Sequence, residues 1–218
     1  MKKQIRRFLY RFVPLRLLAP WVLFRKGRRA GLLTEHGWAR SLRLMEPIDA
    51  DGEPIPWIPY TLVDLLRDRL TKELSVLELG AGSSTLFFMR RVARVTAIEH
   101  DARWLAWVRE RSGPNVTLVP ADGTTPERYL APLRAPDARY DLILIDGIHR
   151  PEALLAAFDR LTREGVILLD DTHRPELAAA LAQVPPEFRS LHFTGHKAGS
   201  VNLYRTTLLY RDGNCLGI

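Results

Sequence analysis

Glu78 precedes Gly80 and Gly82 in the run Val76-Leu77-Glu78-Leu79-Gly80-Ala81-Gly82-Ser83-Ser84-Thr85, an apolar stretch that breaks on glycine and resumes as a helix. Glycines at such a break permit a tight turn and let a ligand approach the main chain, while the helix start beyond offers unpaired N–H groups. A carboxylate two residues ahead of the turn can pair with a cationic group, such as the amino group of a bound amino acid, and would repel a pyrophosphate. Glu99, with His100 beside it, ends a second apolar run, where acids accept hydrogen bonds from ribose hydroxyls. A third run ends before Ala121-Asp122, where an aspartate can bond an adenine amino group. Asp146 ends a fourth run and is followed by Gly147 and His149; Asp170, Asp171 and His173 follow a fifth.

These groups need a scaffold that brings the ends of separate strands together. The runs Val76–Leu79, Val95–Glu99, Val116–Val119, Leu142–Ile145 and Val166–Leu169 are short, continuous and apolar, as in strands buried on both faces of a parallel sheet. Between and after them, Ser84–Val92, Ala102–Arg111, Pro126–Leu133, Pro151–Leu161 and Pro175–Val184 have the length and leucine or alanine content of crossover helices, and three open on a proline suited to a first helical turn. This alternation predicts right-handed βαβ units in a doubly wound α/β fold, with the strand-end acids at the carboxyl edge where such sheets bind ligands. Phe188–Phe193 and Thr206–Tyr210 read instead as a closing hairpin, which a dinucleotide-binding domain does not usually show.

In parallel neighbours the ends of the fourth and fifth strands lie side by side, so Asp146, Asp170 and Asp171 can converge on a hard cation such as Mg²⁺. The same aspartates could cap the following helix or bind water. His149 and His173, which titrate near neutral pH, are candidate general bases, and Asp146 belongs to the same candidate catalytic set.

Glu-x-Gly-x-Gly, an acid ending the second strand, Ala121-Asp122 and Tyr140-Asp141-Leu142-Ile143-Leu144-Ile145-Asp146 together resemble the Rossmann-fold (class I) methyltransferases that use S-adenosylmethionine (SAM). The resemblance covers about residues 60–210. It implies a mostly parallel seven-stranded sheet of order 3-2-1-4-5-7-6 with an antiparallel C-terminal hairpin. It also implies that Glu78, Gly80 and Gly82 hold the methionine part of SAM, that Glu99 binds the ribose and Asp122 the adenine, and that Asp146 lies beside methionine and substrate. Ser83, Ser84 and His100 complete the implied cofactor set; Ser84 stands where many relatives have a third glycine. The acids after the fourth and fifth strands resemble those of metal-dependent O-methyltransferases of the catechol and macrolide-sugar types. Gly52–Tyr60 resembles a segment of uncharacterised bacterial methyltransferases, with Trp57 and Tyr60 as candidate substrate walls, and the loop Gly195–Ser200 could cover the site. The implied activity is methyl transfer to an oxygen, or less readily a nitrogen, of a small molecule or glycan precursor. An NAD-dependent oxidoreductase is disfavoured by Glu78, the hairpin and the absence of a third glycine. A non-catalytic SAM-binding, membrane-associated protein is the other alternative.

A Pro- and Gly-containing stretch, Pro47–Pro59, divides the chain into residues 1–59, a basic amphipathic helical arm with a cap segment, and residues 60–218, the SAM-binding domain. The net charge is +7, yet residues 1–30 hold ten Lys and Arg and no acid, leaving 22 basic against 25 acidic side chains, a net of −3, in the remainder. An acidic body disfavours nucleic acid as substrate, since phosphate binding calls for basic surface around the site. The arm interleaves its cations with Phe8, Leu9, Phe12, Leu17, Leu18, Trp21 and Phe24, a pattern suited to an anionic membrane surface, or alternatively to a helix packed on the body. Its apolar stretch Phe12–Phe24 is too short to span a bilayer, and no A-x-A cleavage site follows. One cysteine, Cys215, rules out an internal disulfide and suits a reducing compartment. These features predict a cytoplasmic protein, peripheral at the inner face of the membrane if the arm binds lipid.

Overall fold

The computed structural model describes residues 31–134 and 138–218, so the basic stretch 1–30 lies outside the described residues. Strands β1 (Ser75–Leu79), β2 (Arg94–Glu99), β3 (Val116–Pro120), β4 (Tyr140–Ile145), β5 (Leu161–Leu169), β6 (Arg189–His196) and β7 (Leu203–Tyr210) form one sheet in the order β3-β2-β1-β4-β5-β7-β6. The first five strands run parallel, and β7 is antiparallel to both β5 and β6. This is the doubly wound order that the resemblance implies, with its switch between β1 and β4.

The central strands are apolar at consecutive positions because both faces are covered. Val76, Leu142, Leu144, Val166 and Leu168 point to one face and pack with helices α2 (Tyr60–Arg69) and α3 (Ser83–Met89), through Leu62, Leu66, Phe87 and Phe88. Leu77, Leu79, Ile143, Ile145 and Ile167 point to the other, against Tyr129, Ala153 and Leu154. The cap segment is built into the first of these cores, since Ile55 and Ile58 are buried there. It also carries helix α1 (Trp38–Leu44), whose Trp38 indole donates to the Ser200 carbonyl (2.8 Å). Further helices are α4 (Ala102–Arg109), α5 (Pro126–Tyr129), α6 (Arg150–Ala157) and α7 (Ala178–Leu181), and a single helical turn, Leu32–Glu35, precedes α1.

Several boundaries differ from the sequence expectation, most of all in three helices. The helix expected over Pro126–Leu133 stops at Tyr129 and gives way to a 3₁₀ turn, Ala131–Arg134, because Pro132 has no N–H to continue an α-helix. The helix expected over Pro151–Leu161 ends at Ala157, and Leu161 already pairs with Tyr140; an irregularity in the ladder then precedes the pairing of Leu142 with Val166. The polar residues Thr162–Glu164 occupy that irregular stretch and hide the start of β5 in the sequence. The helix expected over Pro175–Val184 shrinks to a 3₁₀ turn, Pro175–Leu177, and the single turn α7. Pro185 and Pro186, beyond Val184, limit its extension.

Leu144 is fully buried at the centre of the sheet. Leu144→Ala is expected to lower the unfolding free energy by about 2–5 kcal/mol, measured by urea denaturation, without altering the strand order.

Candidate active site

The backbone ladder continues past the strand ends and fixes which turns meet. The Gly80 amide donates to the Ile98 carbonyl (2.9 Å), Asp146 to Leu79 (3.0 Å) and Asp170 to Ile145 (3.1 Å). Gly80 and Asp146 therefore leave the sheet side by side, with Asp170 next in line. Gly80 has φ +99°, and a Cβ placed on it would lie 2.8 Å from the Gly147 Cα, so any side chain there meets backbone. A Cβ on Gly147 would lie 2.3 Å from the Tyr129 hydroxyl. At both positions the close approach requires glycine.

Beyond these turns opens a cavity of about 490 Å³, within the range of small-molecule and cofactor sites. Its floor is Gly80 to Ser84, one side carries Glu99 and His100, and the other carries Asp146, Gly147 and Ile148. The Glu99 carboxylate accepts from the amides of Ala81 (2.9 Å), His100 (2.8 Å) and Asp101 (2.7 Å), and from His100 Nδ1 (2.8 Å). It thereby ties the end of β2 to the glycine turn of β1. A Cβ on Gly82 would meet nothing within 4 Å, so a side chain there would extend into open space.

Glu78 lies beneath the same turn, fully buried. The Thr85 hydroxyl donates to its Oε2, and its Oε1 has no partner. Burial pushes its carboxyl up to about 8, against the opposing pull of the nearby Ser84 and Thr85 hydroxyls. Asp146 is also pushed well above the usual carboxylate range, by burial and then by the charge of Asp170. Arg150, four residues on, donates to its Oδ1 (2.8 Å) and to its carbonyl (2.7 Å).

Asp122 ends its strand as expected but is not among the cavity-lining residues. Its Oδ1 accepts from the Thr124 amide (2.9 Å) and its Oδ2 from Arg128 (2.9 Å). These partners, Thr124 before Arg128, hold its pKa down to about 2. Neither candidate histidine lines the cavity. His149 has φ +52° and turns its Nε2 to the Gly123 carbonyl (3.0 Å), beside the Tyr129 ring; His173 is exposed against Tyr204. Trp57 does line it, with its indole donating to the Ala198 carbonyl (2.9 Å), whereas Tyr60 is buried in the core against His36. Ala198 and Gly199, from the loop expected to cover the site, are also in the wall.

The divalent-metal reading does not fit. Asp146, Asp170 and Asp171 do gather, but on cations of the chain itself. Lys197 Nζ is buried at 2.6 Å from Asp170 Oδ2 and 3.0 Å from Asp171 Oδ1, and Arg150 Nη1 lies 3.1 Å from Asp171 Oδ2. Thr206 donates to the second oxygen of Asp170, and Arg174 to Asp171. The ammonium stands where the shared ion would be needed, and among the described residues no group of three His, Cys, Asp or Glu is arranged to hold a metal. Burial disfavours the Lys197 charge, but Asp170 above all more than offsets it, so its pKa is raised. Asp171 likewise stays below the usual range despite burial, through Lys197 first and then Arg150 and Arg174.

Sequence reasoning missed Lys197, Arg150 and Thr85, which hold the acids, and the lip residues Leu42, Met45 and Trp104. A lysine inside the expected cover loop was a signal for the first of these. The lip residues carried none, because their role depends on how α1 packs.

Residues 77–172 match the model of a family described as "Methyltransferase domain". No curated protein matches the chain by sequence. Among solved structures, the chain is similar to a precorrin-6y C5,15-methyltransferase from Geobacter metallireducens (21% identity, TM-score 0.53, covering 69% of this chain and 87% of that one). It is similar to the O-methyltransferase TomG from Streptomyces achromogenes (18%, 0.52, 68% and 77%). A spermidine synthase from Thermotoga maritima is equally similar (16%, 0.53, 69%), although the chain spans only 57% of its length. At these identities the likeness shows a shared fold.

Two outcomes are expected from the buried charges. Lys197→Met leaves Asp170 and Asp171 without their buried ammonium and is expected to cost about 3–5 kcal/mol at pH 7 by chemical denaturation, with Lys197→Arg milder. The Asp171 contribution is present above its unfolded pKa near about 3.9 and is lost as the pH falls; that of Lys197 is present below about 10.4 and is lost as the pH rises through its higher folded value. Glu78 runs the other way. Its folded value of about 8 lies above the unfolded value, so its contribution is present at low pH and lost as the pH rises toward 8. Glu78→Gln is expected to flatten that decline in a stability profile of the ligand-free protein.

Proposed function

We propose that this chain, whose residues 77–172 match a family described as a methyltransferase domain, uses SAM to methylate an oxygen, less readily a nitrogen, of a small molecule or glycan precursor. The fold alone does not name a reaction, since it is shared with a spermidine synthase. The observation that carries the reading is that the glycine turn, Glu99, His100 and Asp146, from three different strand ends, line one cavity.

The residues present fit such a cofactor. Gly80 and Gly82 leave the cavity floor as bare main chain, whereas Glu78, fully buried with its carboxyl pushed up to about 8, lies beneath the turn and does not line the cavity. Glu99 is held rigidly by three amides, which aims its remaining lone-pair capacity at a ribose hydroxyl. Bound SAM would supply an electrophilic methyl group for in-line displacement. The chain's part is to align the acceptor and take its proton. Asp146 is the candidate for that proton, because it lines the cavity and burial has raised its affinity for one. Arg150 orients it from beneath. Trp57, Ala198 and Gly199 would wall the acceptor. Asp122, already paired with Arg128, would reach an adenine only by exchanging that partner.

Calorimetric titration of the purified protein with SAM and, separately, with NAD tests the reading. SAM is expected to bind and NAD not. Gly82→Val should unfold at the same temperature as the parent yet bind SAM at least about tenfold more weakly, since its side chain enters the space the ligand needs. Binding of NAD in place of SAM would overturn the proposal in favour of an oxidoreductase.

A further inference from the structure

The cavity opens through a rim of exposed apolar side chains. Met45 is 84% exposed, Trp57 54%, Trp104 50%, and Leu42 and Leu44 47% each. Single exposed hydrophobics are ordinary, but a cluster around one mouth marks an interaction surface. The rim continues into a groove of about 500 Å³ between Leu44, Met45 and Pro47 on one side and Trp104 and Trp107 on the other. Groove and cavity share Met45, Glu46, Pro47, Ser83 and Trp104, so the space is continuous. Val201, 74% exposed, follows Ser200, which Trp38 of α1 holds, and so extends the rim on the hairpin side.

Charge identifies what covers this face. The chain enters the described residues at Gly31, seven residues before α1, and the thirty residues ahead of that point carry ten Lys and Arg with no acid. Residues 31–218 are net negative and by themselves would be repelled by an anionic surface. The concentrated positive charge therefore enters the body just ahead of α1, whose Leu42 and Leu44 belong to the rim. Cations next to tryptophans and aliphatic side chains are the composition of an interfacial membrane contact. A second copy of the chain is a poorer occupant, since a symmetric contact through this face would bring two such cationic segments together.

We propose that this face seats on an anionic lipid bilayer, with Leu42, Leu44, Met45, Trp104 and Val201 entering the headgroup region and residues 1–30 supplying the electrostatic attraction. The cavity then opens toward the leaflet. Where the methyltransferase reading also holds, on which this last step rests, the acceptor is an amphiphile whose polar group reaches Asp146 while its apolar chain lies along the groove.

The test is sedimentation of the full chain with phosphatidylcholine vesicles, with and without phosphatidylglycerol, at low and physiological salt. The expected result is binding to the anionic vesicles alone, weakened by salt, and weakened about tenfold further by Leu44→Glu and by Val201→Glu. Neither residue lines the cavity. Both variants should therefore keep the parent's unfolding temperature and SAM affinity, and SAM affinity in the same samples separates failure of the docking from failure of the methyltransferase reading. Absence of vesicle binding, as when residues 1–30 themselves cover the rim, would overturn the proposal. So would binding that both variants leave unchanged, or a lipid-free dimer that Leu44→Glu dissociates.

Discussion

The contact between two turns at the seam of β1 and β4 is the constraint on which the site depends. Gly80 and Gly147 meet backbone to backbone, and neither position has room for a Cβ. The crossovers diverge to opposite sides of this seam, so no connection closes over it, and the strand ends stay open. Close approach brings the glycine turn, Asp146 and the end of β2 around one cavity. Glu99 then ties the arrangement together, accepting from the amides of both its own turn and the neighbouring one.

A second layer of order lies behind the first. Five charged groups from β4, α6, β5 and the end of β6 are packed under the wall: Asp146, Arg150, Asp170, Asp171 and Lys197. Burying so many charges is costly unless each finds a partner, and here every acid has a cation within ion-pair distance. The result is a wall whose position is set by electrostatics. The raised proton affinity of Asp146 follows first from its burial and then from the charge of Asp170 beside it.

Much of this was legible in the sequence, for local reasons. Strands buried on both faces must be apolar at consecutive positions, so β1, β2, β4 and the second half of β5 announced themselves. The acids at their ends followed from the same breaks. What stayed hidden was non-local. Lys197 reaches Asp170 across 27 residues only because β6 and β7 fold back against β5. The three aspartates suggested a cation correctly, but periodicity says nothing of whether that cation is a bound ion or a side chain. Trp104 and Met45 looked like ordinary helix and loop residues, since their place at the mouth is decided by how the cap segment docks. Pro132 was visible, and its consequence for the length of α5 could have been drawn from its missing N–H alone.

The two indole hydrogen bonds to the β6–β7 loop have a consequence for how the protein recognises anything. Trp38 holds the Ser200 carbonyl and Trp57 that of Ala198, while Lys197 anchors the same loop from beneath. A wall fastened at three successive points loses little conformational freedom when a guest arrives, so little affinity is spent on ordering it. Selection among guests then rests on the fit to a shape that exists beforehand. Molecules that differ by a bulky group at this wall should be told apart by exclusion, where a looser loop would have moulded itself to both.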